Sequence, residues 1–260
     1  MYEQFKELAD VDITTGPMEV GPTTHYMMGG IRVDPETGAT TRAGLYAVGE
    51  VSAGMHGANR LGGNSLSDLL VFGQRTGAAA AEFAAQQSEV PYVDPQAVQT
   101  AARELAAPFG AGEGPEDVAA GAARSRGEDP YRLHEELQET MGSLVGIFRV
   151  EEDLDEAIRR LGELRSRWDD VRIGGGRAYN PSWGLVYEVR NMLIVSEAVA
   201  RSAKARRESR GAHSRLDFPD LDPVWAKQNS VARLKGDAME IVTTPLPAMP
   251  DDLRKLISTE

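Results

Sequence analysis

Glycine is unevenly spread along this chain: 13 of its 27 glycines fall between Gly16 and Gly77. The rest of that span is apolar, not the Ser, Lys and Glu of a linker, so the glycines mark a backbone that approaches something closely. Within it, Met27 to Val33 is apolar and extended in character, Asp34-Pro35-Glu36-Thr37-Gly38 supplies turn chemistry, and Gly44 to Val48 reads as a short buried strand. A hairpin or strand pair is expected there. The strand delivers its end into the loop Gly49 to Asn64, and Ser65-Leu66-Ser67-Asp68 has the spacing of a capping box ahead of a helix predicted through Gln87.

After a break at Pro91 to Pro95 the pattern changes to helix punctuated by Gly and Pro. Helices are predicted over Gln96 to Ala107, Glu116 to Arg126, Tyr131 to Arg149, Glu151 to Trp168 and Trp183 to Ser209. Leu133, Leu137, Met141, Leu144 and Phe148 stand at helical spacing and are expected to face a shared bundle core. Further on, Val231 to Leu234 and Met239 to Val242 flank Lys235-Gly236-Asp237 and read as a small hairpin.

With 260 residues and a net charge of −12, and without a concentrated basic stretch, the chain does not read as a nucleic-acid binder or as docking on an anionic membrane by charge. It has no cysteine, so it can hold no disulfide, thiolate zinc site or cysteine-ligated iron–sulfur cluster; any such cluster must sit on a partner. The first residues lack the succession of a secretory signal, and no apolar run approaches the roughly 18 residues that cross a bilayer, which makes cytosolic residence the default.

A strand running into glycines and then into a capped helix presents backbone N–H groups and a positive dipole end to a ligand. The same loop holds Glu50, His56, Asn59 and Arg60, which gather an acidic acceptor, a titratable ring and a guanidinium. On these residues alone, a tight turn is as good a reading as an anion site. A lone histidine such as His25 in an apolar strand is more often a core residue. Gly174-Gly175-Gly176 lacks phosphate-loop spacing and reads as a helix-terminating loop, whereas Glu151-Glu152-Asp153 complements a helix start. The basic run Lys204 to Arg210 is expected in the last turns of a long helix.

Four strings change the weighing: HYMMGGI at 25 to 31, GLYAVGE at 44 to 50, HGANRLGGNSL at 56 to 66 and ESRGAHSRLDFPDLD at 208 to 222. Together they resemble the C-terminal half of the flavoprotein subunit of succinate dehydrogenases and fumarate reductases. The resemblance implies a mixed α+β chain: a tail of the capping domain at 1–20, the C-terminal part of an FAD-binding α/β domain at 21–90, a helical bundle domain at 91–210 and a small C-terminal α+β segment with a hairpin at 211–260. It implies FAD as cofactor, with Glu50, Ser65 and Leu66 as FAD contacts, and succinate or fumarate as substrate, with its carboxylates bound by His25 and Arg60. No metal ligand and no catalytic proton donor are implied within the chain. His56, Asn59 and His213-Ser214-Arg215 belong to the pattern without a firm role.

The same family carries a Gly-x-Gly-x-x-Gly phosphate turn, which these residues lack. Also absent are the capping-domain segment with the family's proton-transferring arginine and the histidine that carries covalent flavin in many members. The chain is therefore expected to be a fragment, inactive alone. Its implied partners are the missing N-terminal half and an iron–sulfur subunit, and its implied place is cytoplasmic, peripheral at the inner face of the membrane through partner subunits. Two rivals stand beside this reading: L-aspartate oxidase, disfavoured by the Gly62-Gly63 pair, and a non-catalytic helical interaction module.

Overall fold

The computed structural model describes residues 2–19, 21, 24–89, 91–110 and 127–257. The chain divides into two compact units, Met1–Glu89 and Val90–Glu260. Helices and strands are mixed, as expected. Among the described residues, no helix is long and apolar enough to cross a membrane.

The first unit carries helix α1 (Tyr2–Ala9), a glycine-rich irregular stretch and helix α2 (Asn64–Ala85). The expected pairing of Met27–Val33 with Gly44–Val48 does not form. Glycines at 29, 30, 44 and 49 all take positive φ, which breaks the extended runs. Instead the chain folds back locally around Asp34–Ala47: Thr40 N–H donates to the Leu45 carbonyl at 2.9 Å and Ala47 N–H to that of Gly38 at 3.0 Å. Ile31 pairs with the segment after the predicted strand, its N–H donating to the Val51 carbonyl at 2.8 Å and its carbonyl accepting from Ala53 at 2.9 Å. α2 crosses this frame so closely at Gly38 (φ +70°) that an added Cβ there would lie 2.3 Å from Thr76 Oγ1.

In the second unit, α3 (Pro95–Ala106), α4 (Pro130–Leu144), α5 (Glu151–Trp168) and α6 (Pro181–Ala205) follow in order, with short parallel strands β1 (Phe148–Arg149) and β2 (Ser214–Arg215). α5 has the bounds read from the sequence; α3, α4 and α6 begin one or two residues earlier, on a proline. Asp94 and Asp129 accept from the N–H groups of Gln96 (2.9 Å) and Tyr131 (3.0 Å), and Asn180 caps α6. In each case proline occupies the first helical position, where its missing N–H costs nothing. The predicted helix Glu116 to Arg126 lies outside the described residues.

Leu133 and Leu137 of α4, Leu154, Ala157, Leu161 and Leu164 of α5, and Val186, Val189, Leu193, Ala200 and Ala203 of α6 make one core. Burying each of the larger side chains contributes about 1.5–3 kcal/mol. Met141 and Leu144 pack at its edge, but Phe148 is exposed. The reason is that α4 stops at Leu144: Arg149 Nε donates to the Val145 and Gly146 carbonyls (3.2 and 2.9 Å), which caps the helix end and turns the chain into β1. The hairpin forms as β3 (Gln228–Lys235) against β4 (Ala238–Pro245), with Gly236 at φ +62° in the two-residue turn.

α6 ends at Ala205, four residues before the expected Ser209, so Arg206–Arg210 lie beyond the helix and form a charged knot. The fully buried Arg215 binds Asp217 through two bonds (2.7 and 2.6 Å) and donates to the Ala203 and Lys204 carbonyls at the end of α6 (3.0 and 3.2 Å). Glu208, also fully buried, accepts from Arg206, from Arg210 (3.0 and 3.1 Å) and from the Asp222 N–H (2.9 Å). Burial pushes the Glu208 carboxyl up, yet Arg210, the Asp222 amide and Arg206 together hold it below the usual range.

His213 bridges the knot as a neutral ring, its Nδ1 accepting from Arg149 (2.9 Å) and its Nε2–H donating to the Arg206 carbonyl (3.1 Å). Burial pushes its pKa down; the carbonyl bond opposes this, and the charges of Arg149, Arg215 and Arg206 reinforce it. As pH falls through about 6.5 the unfolded chain therefore takes up a proton before the folded one, and stability declines. Glu208 and Asp217, with carboxyls held low, lose their contribution only at more acidic pH. Between about pH 7.5 and 5.5 the unit is expected to lose stability, and His213→Gln to flatten that slope in thermal melts. An unchanged slope in the variant would remove His213 as its source.

Candidate functional site

The loop Gly49–Asn64 begins in a single 3-10 turn at Gly49–Val51 and ends against α2. The expected capping box is not there. α2 starts at Asn64, with Gly63 in the left-handed conformation (φ +82°) as N-cap and no side chain closing the end. Asp68 instead lies buried and faces His56, Oδ2 to Nε2 3.3 Å, with side-chain exposures of 3% and 11%. The pair is close but out of line for a hydrogen bond, which leaves both Asp68 oxygens and His56 Nε2 buried without a hydrogen-bond partner.

An open helix end is what an electron-rich ligand needs. The N–H groups of Ser65 and Leu66 fall in the first turn, where no intrahelical acceptor exists, and the helix dipole places positive potential in front of them. Glu50, exposed at the 3-10 turn, accepts from the Met27 N–H through Oε1 at 3.0 Å; its other oxygen has no partner among the described residues. Close backbone approach depends on Gly30 (φ +143°), where an added Cβ would fall 2.2 Å from the Val51 carbonyl oxygen. Gly30→Ala is expected to destabilise the first unit by about 3 kcal/mol through strain and collision, read by thermal unfolding. A melt like the parent's would contradict this geometry.

Arg60 lies half-buried, its guanidinium 4.5 Å from the Tyr26 ring centroid and Nη1 donating to the Leu61 carbonyl at 3.3 Å. Its Nε is buried without an acceptor, an orphaned cationic donor of the kind an anionic ligand satisfies. Tyr26 in turn meets His56 edge to face, 5.5 Å between centroids at 79°. Burial pushes the Tyr26 phenol up, the charges of Asp68 and Glu50 add to that, and Arg60 opposes it. His25, exposed, immediately precedes this ring and has no hydrogen bond or ion pair among the described residues.

The structure thus gathers Tyr26, His56, Arg60 and Asp68 into one cluster beside Glu50, with Ser65 and Leu66 at the adjoining helix end. Tyr26 and Asp68 were not candidates from sequence. The sequence pattern makes Asp68 part of a capping box, and only its buried phase on a helix whose Leu66, Leu69, Leu70 and Val71 are exposed distinguishes it. His213 and Arg215 belong to the charged knot in the second unit, where their partners are structural. Gly174 and Gly176 bind the Asn180 side-chain amide through their carbonyls (3.0 Å each), in a loop that opens α6.

Two family models match the chain: "FAD binding domain" over residues 1–66 and "Fumarate reductase flavoprotein C-term" over residues 134–250. One chain of the fumarate reductase (CoM/CoB) from Methanothermobacter marburgensis is 39% identical over 227 residues, covering 87% of this chain and 38% of that protein. The fumarate reductase flavoprotein subunit of Escherichia coli is 39% identical over 221 residues, covering 83% and 34%. A solved structure, Mycobacterium smegmatis Sdh1 in complex with UQ1, superposes with a TM-score of 0.88 at 48% identity over 98% of this chain and 41% of that one. The chain thus spans little more than a third of the length of the curated relatives it matches.

Proposed function

The chain belongs to the family of succinate dehydrogenase and fumarate reductase flavoprotein subunits, and from that premise we propose that it is the substrate- and flavin-facing part of an oxidoreductase interconverting succinate and fumarate. The observation that carries the proposal is the buried, unsatisfied Nε of Arg60 beside an uncapped helix end. A cation lacking its anion and amides lacking their acceptor lie a few residues apart on one loop.

In this reading Arg60 grips one carboxylate of the dicarboxylate by parallel N–H···O bonds, and His25, exposed next to Tyr26, meets a substrate carboxylate. Polarising the carboxylate eases bond-making and bond-breaking at the adjacent carbon. The open first turn of α2, at Ser65 and Leu66, would hold the ring end of the cofactor, where its dipole would stabilise negative charge, and the unpartnered oxygen of Glu50 would accept from a cofactor hydroxyl. FAD, when bound, accepts or donates the hydride. The proton that leaves the second carbon of succinate goes to a group outside these residues.

The described residues fit the ring end of FAD, whereas the sequence holds no Gly-x-Gly-x-x-Gly turn for its diphosphate. These 260 residues by themselves therefore hold FAD weakly and do not turn over succinate. Electrons leave to an iron–sulfur subunit, since a cysteine-free chain has no ligands for such a cluster of its own, and the assembly sits at the inner face of the cytoplasmic membrane through partner subunits. The test is to mix the purified chain with excess FAD, pass it through a sizing column and read flavin absorbance in the protein peak, alone and with a segment carrying a dinucleotide turn. Flavin retained only with that segment, together with succinate-dependent dye reduction, is expected. Flavin absent in both arms would leave the motifs structural, and aspartate-dependent reduction would reassign the substrate.

A further inference from the structure

An aspartate buried with both oxygens unbonded is costly, and such a group persists only where the surroundings force it. Asp68 is 5% exposed on the second turn of α2 and faces His56, and neither is used by the substrate contacts above. What the pair does follows from where its members sit. His56 opens the stretch 56–68 and Asp68 closes it, so their contact ties that stretch into a loop, and Arg60 rides between them. On the other side, His56 abuts the Tyr26 ring, and the Arg60 guanidinium rests over that same ring at 4.5 Å. A guanidinium on a long stem loses much rotamer freedom on binding, so fixing it in advance favours the bound state.

We infer that Asp68, His56 and Tyr26 are positioning residues for Arg60: the Asp68–His56 contact closes the loop that carries it, and the Tyr26 ring is the platform that holds its guanidinium toward the carboxylate. The inference rests on the reading of Arg60 as a carboxylate ligand. The platform needs the face of the ring and not the hydroxyl, because the contact is between the cation and the π-system. Phenylalanine therefore serves in place of tyrosine, and an aliphatic side chain of similar bulk does not.

The assembled, FAD-loaded flavoprotein is the material for the test, and its probe is malonate, a dicarboxylate with no carbon pair to oxidise, titrated through the flavin absorption change. Tyr26→Leu is expected to weaken malonate binding and raise the succinate KM by about tenfold, with kcat changed by less than about threefold and flavin content unaltered. Tyr26→Phe is expected to recover binding to within about twofold of the parent. Asp68→Asn, nearly isosteric, is expected to follow Tyr26→Leu. The inference is overturned if Tyr26→Leu binds malonate like the parent, if Tyr26→Phe is as weak as Tyr26→Leu, or if Tyr26→Leu loses its flavin. Should Asp68→Asn not fold, the Leu and Phe variants at position 26 still decide. Arg60→Ala run alongside separates the two levels: if it loses malonate binding while the position 26 variants do not, only the platform fails, and if it binds malonate normally the site reading itself fails.

Discussion

Replacing Arg60 by alanine in the assembled flavoprotein is expected to lower kcat/KM for succinate by about a thousandfold, roughly 4 kcal/mol of lost transition-state stabilisation. The size follows from the contacts. Each hydrogen bond between charged groups is worth about 1.5–3 kcal/mol, a guanidinium supplies two to one carboxylate, and the substrate left behind is an anion in a partly desolvated cluster. Arg60 has no acidic partner in the described structure, its Nη1 reaching only the Leu61 carbonyl and its Nε nothing, so its removal strands no protein charge and the stability of the first unit should barely change. Steady-state kinetics beside a thermal melt separate the two. A variant within about threefold of the parent's efficiency would take Arg60 out of the site.

Glu208→Gln is expected to cost the second unit about 3 kcal/mol, a drop in melting temperature of about 10 °C. Glutamine keeps the shape and loses the charge. Arg206, Arg210, Arg149 and Arg215 are then gathered in one knot with Asp217 as the principal remaining anion, and two guanidiniums that bonded to the buried carboxylate face a neutral amide. Breaking a buried pair from one side leaves an uncompensated charge, which is why this substitution should exceed the loss of any exposed ion pair, such as that of Arg159 with Glu163. A melt within about 2 °C of the parent would mean that solvent screens the knot.

How much of this was legible in the sequence depended on whether the information is local. α5 could be read with its bounds because the 154, 157, 161, 164 spacing and an acidic first turn are properties of consecutive residues. The proline starts of α3, α4 and α6 fall outside the predicted bounds for a local reason as well: proline reads as punctuation between helices, although Asp-Pro and Asn-Pro cap and open one. The C-terminal ends were not legible. α6 stops where Arg215 and Arg206 reach its last carbonyls and the segment beyond, and those partners lie ten to twenty-odd residues downstream. In the candidate site, the motif strings placed Glu50 and Arg60 on one loop and Ser65 and Leu66 at the helix start that follows it, but Tyr26 and Asp68 entered only through distances between side chains that no periodicity encodes.

The charged knot also sets an order in time. Contacts of α4 with α5 and of α5 with α6 join helices that follow one another in sequence, whereas Phe148 meets Ser214, Arg149 meets His213 and the Glu151 N–H meets Asp217, each across more than sixty residues. Long loops close late, because their entropy must be surrendered before any contact rewards it. The helices therefore assemble first and the knot latches afterwards, and on the way out it lets go first. Hydrogen exchange should register this as a Leu216 amide, bonded to the Arg149 carbonyl, that exchanges well before those of Leu161 and Val189 in the helical core. The opposite order would make the latch part of the nucleus.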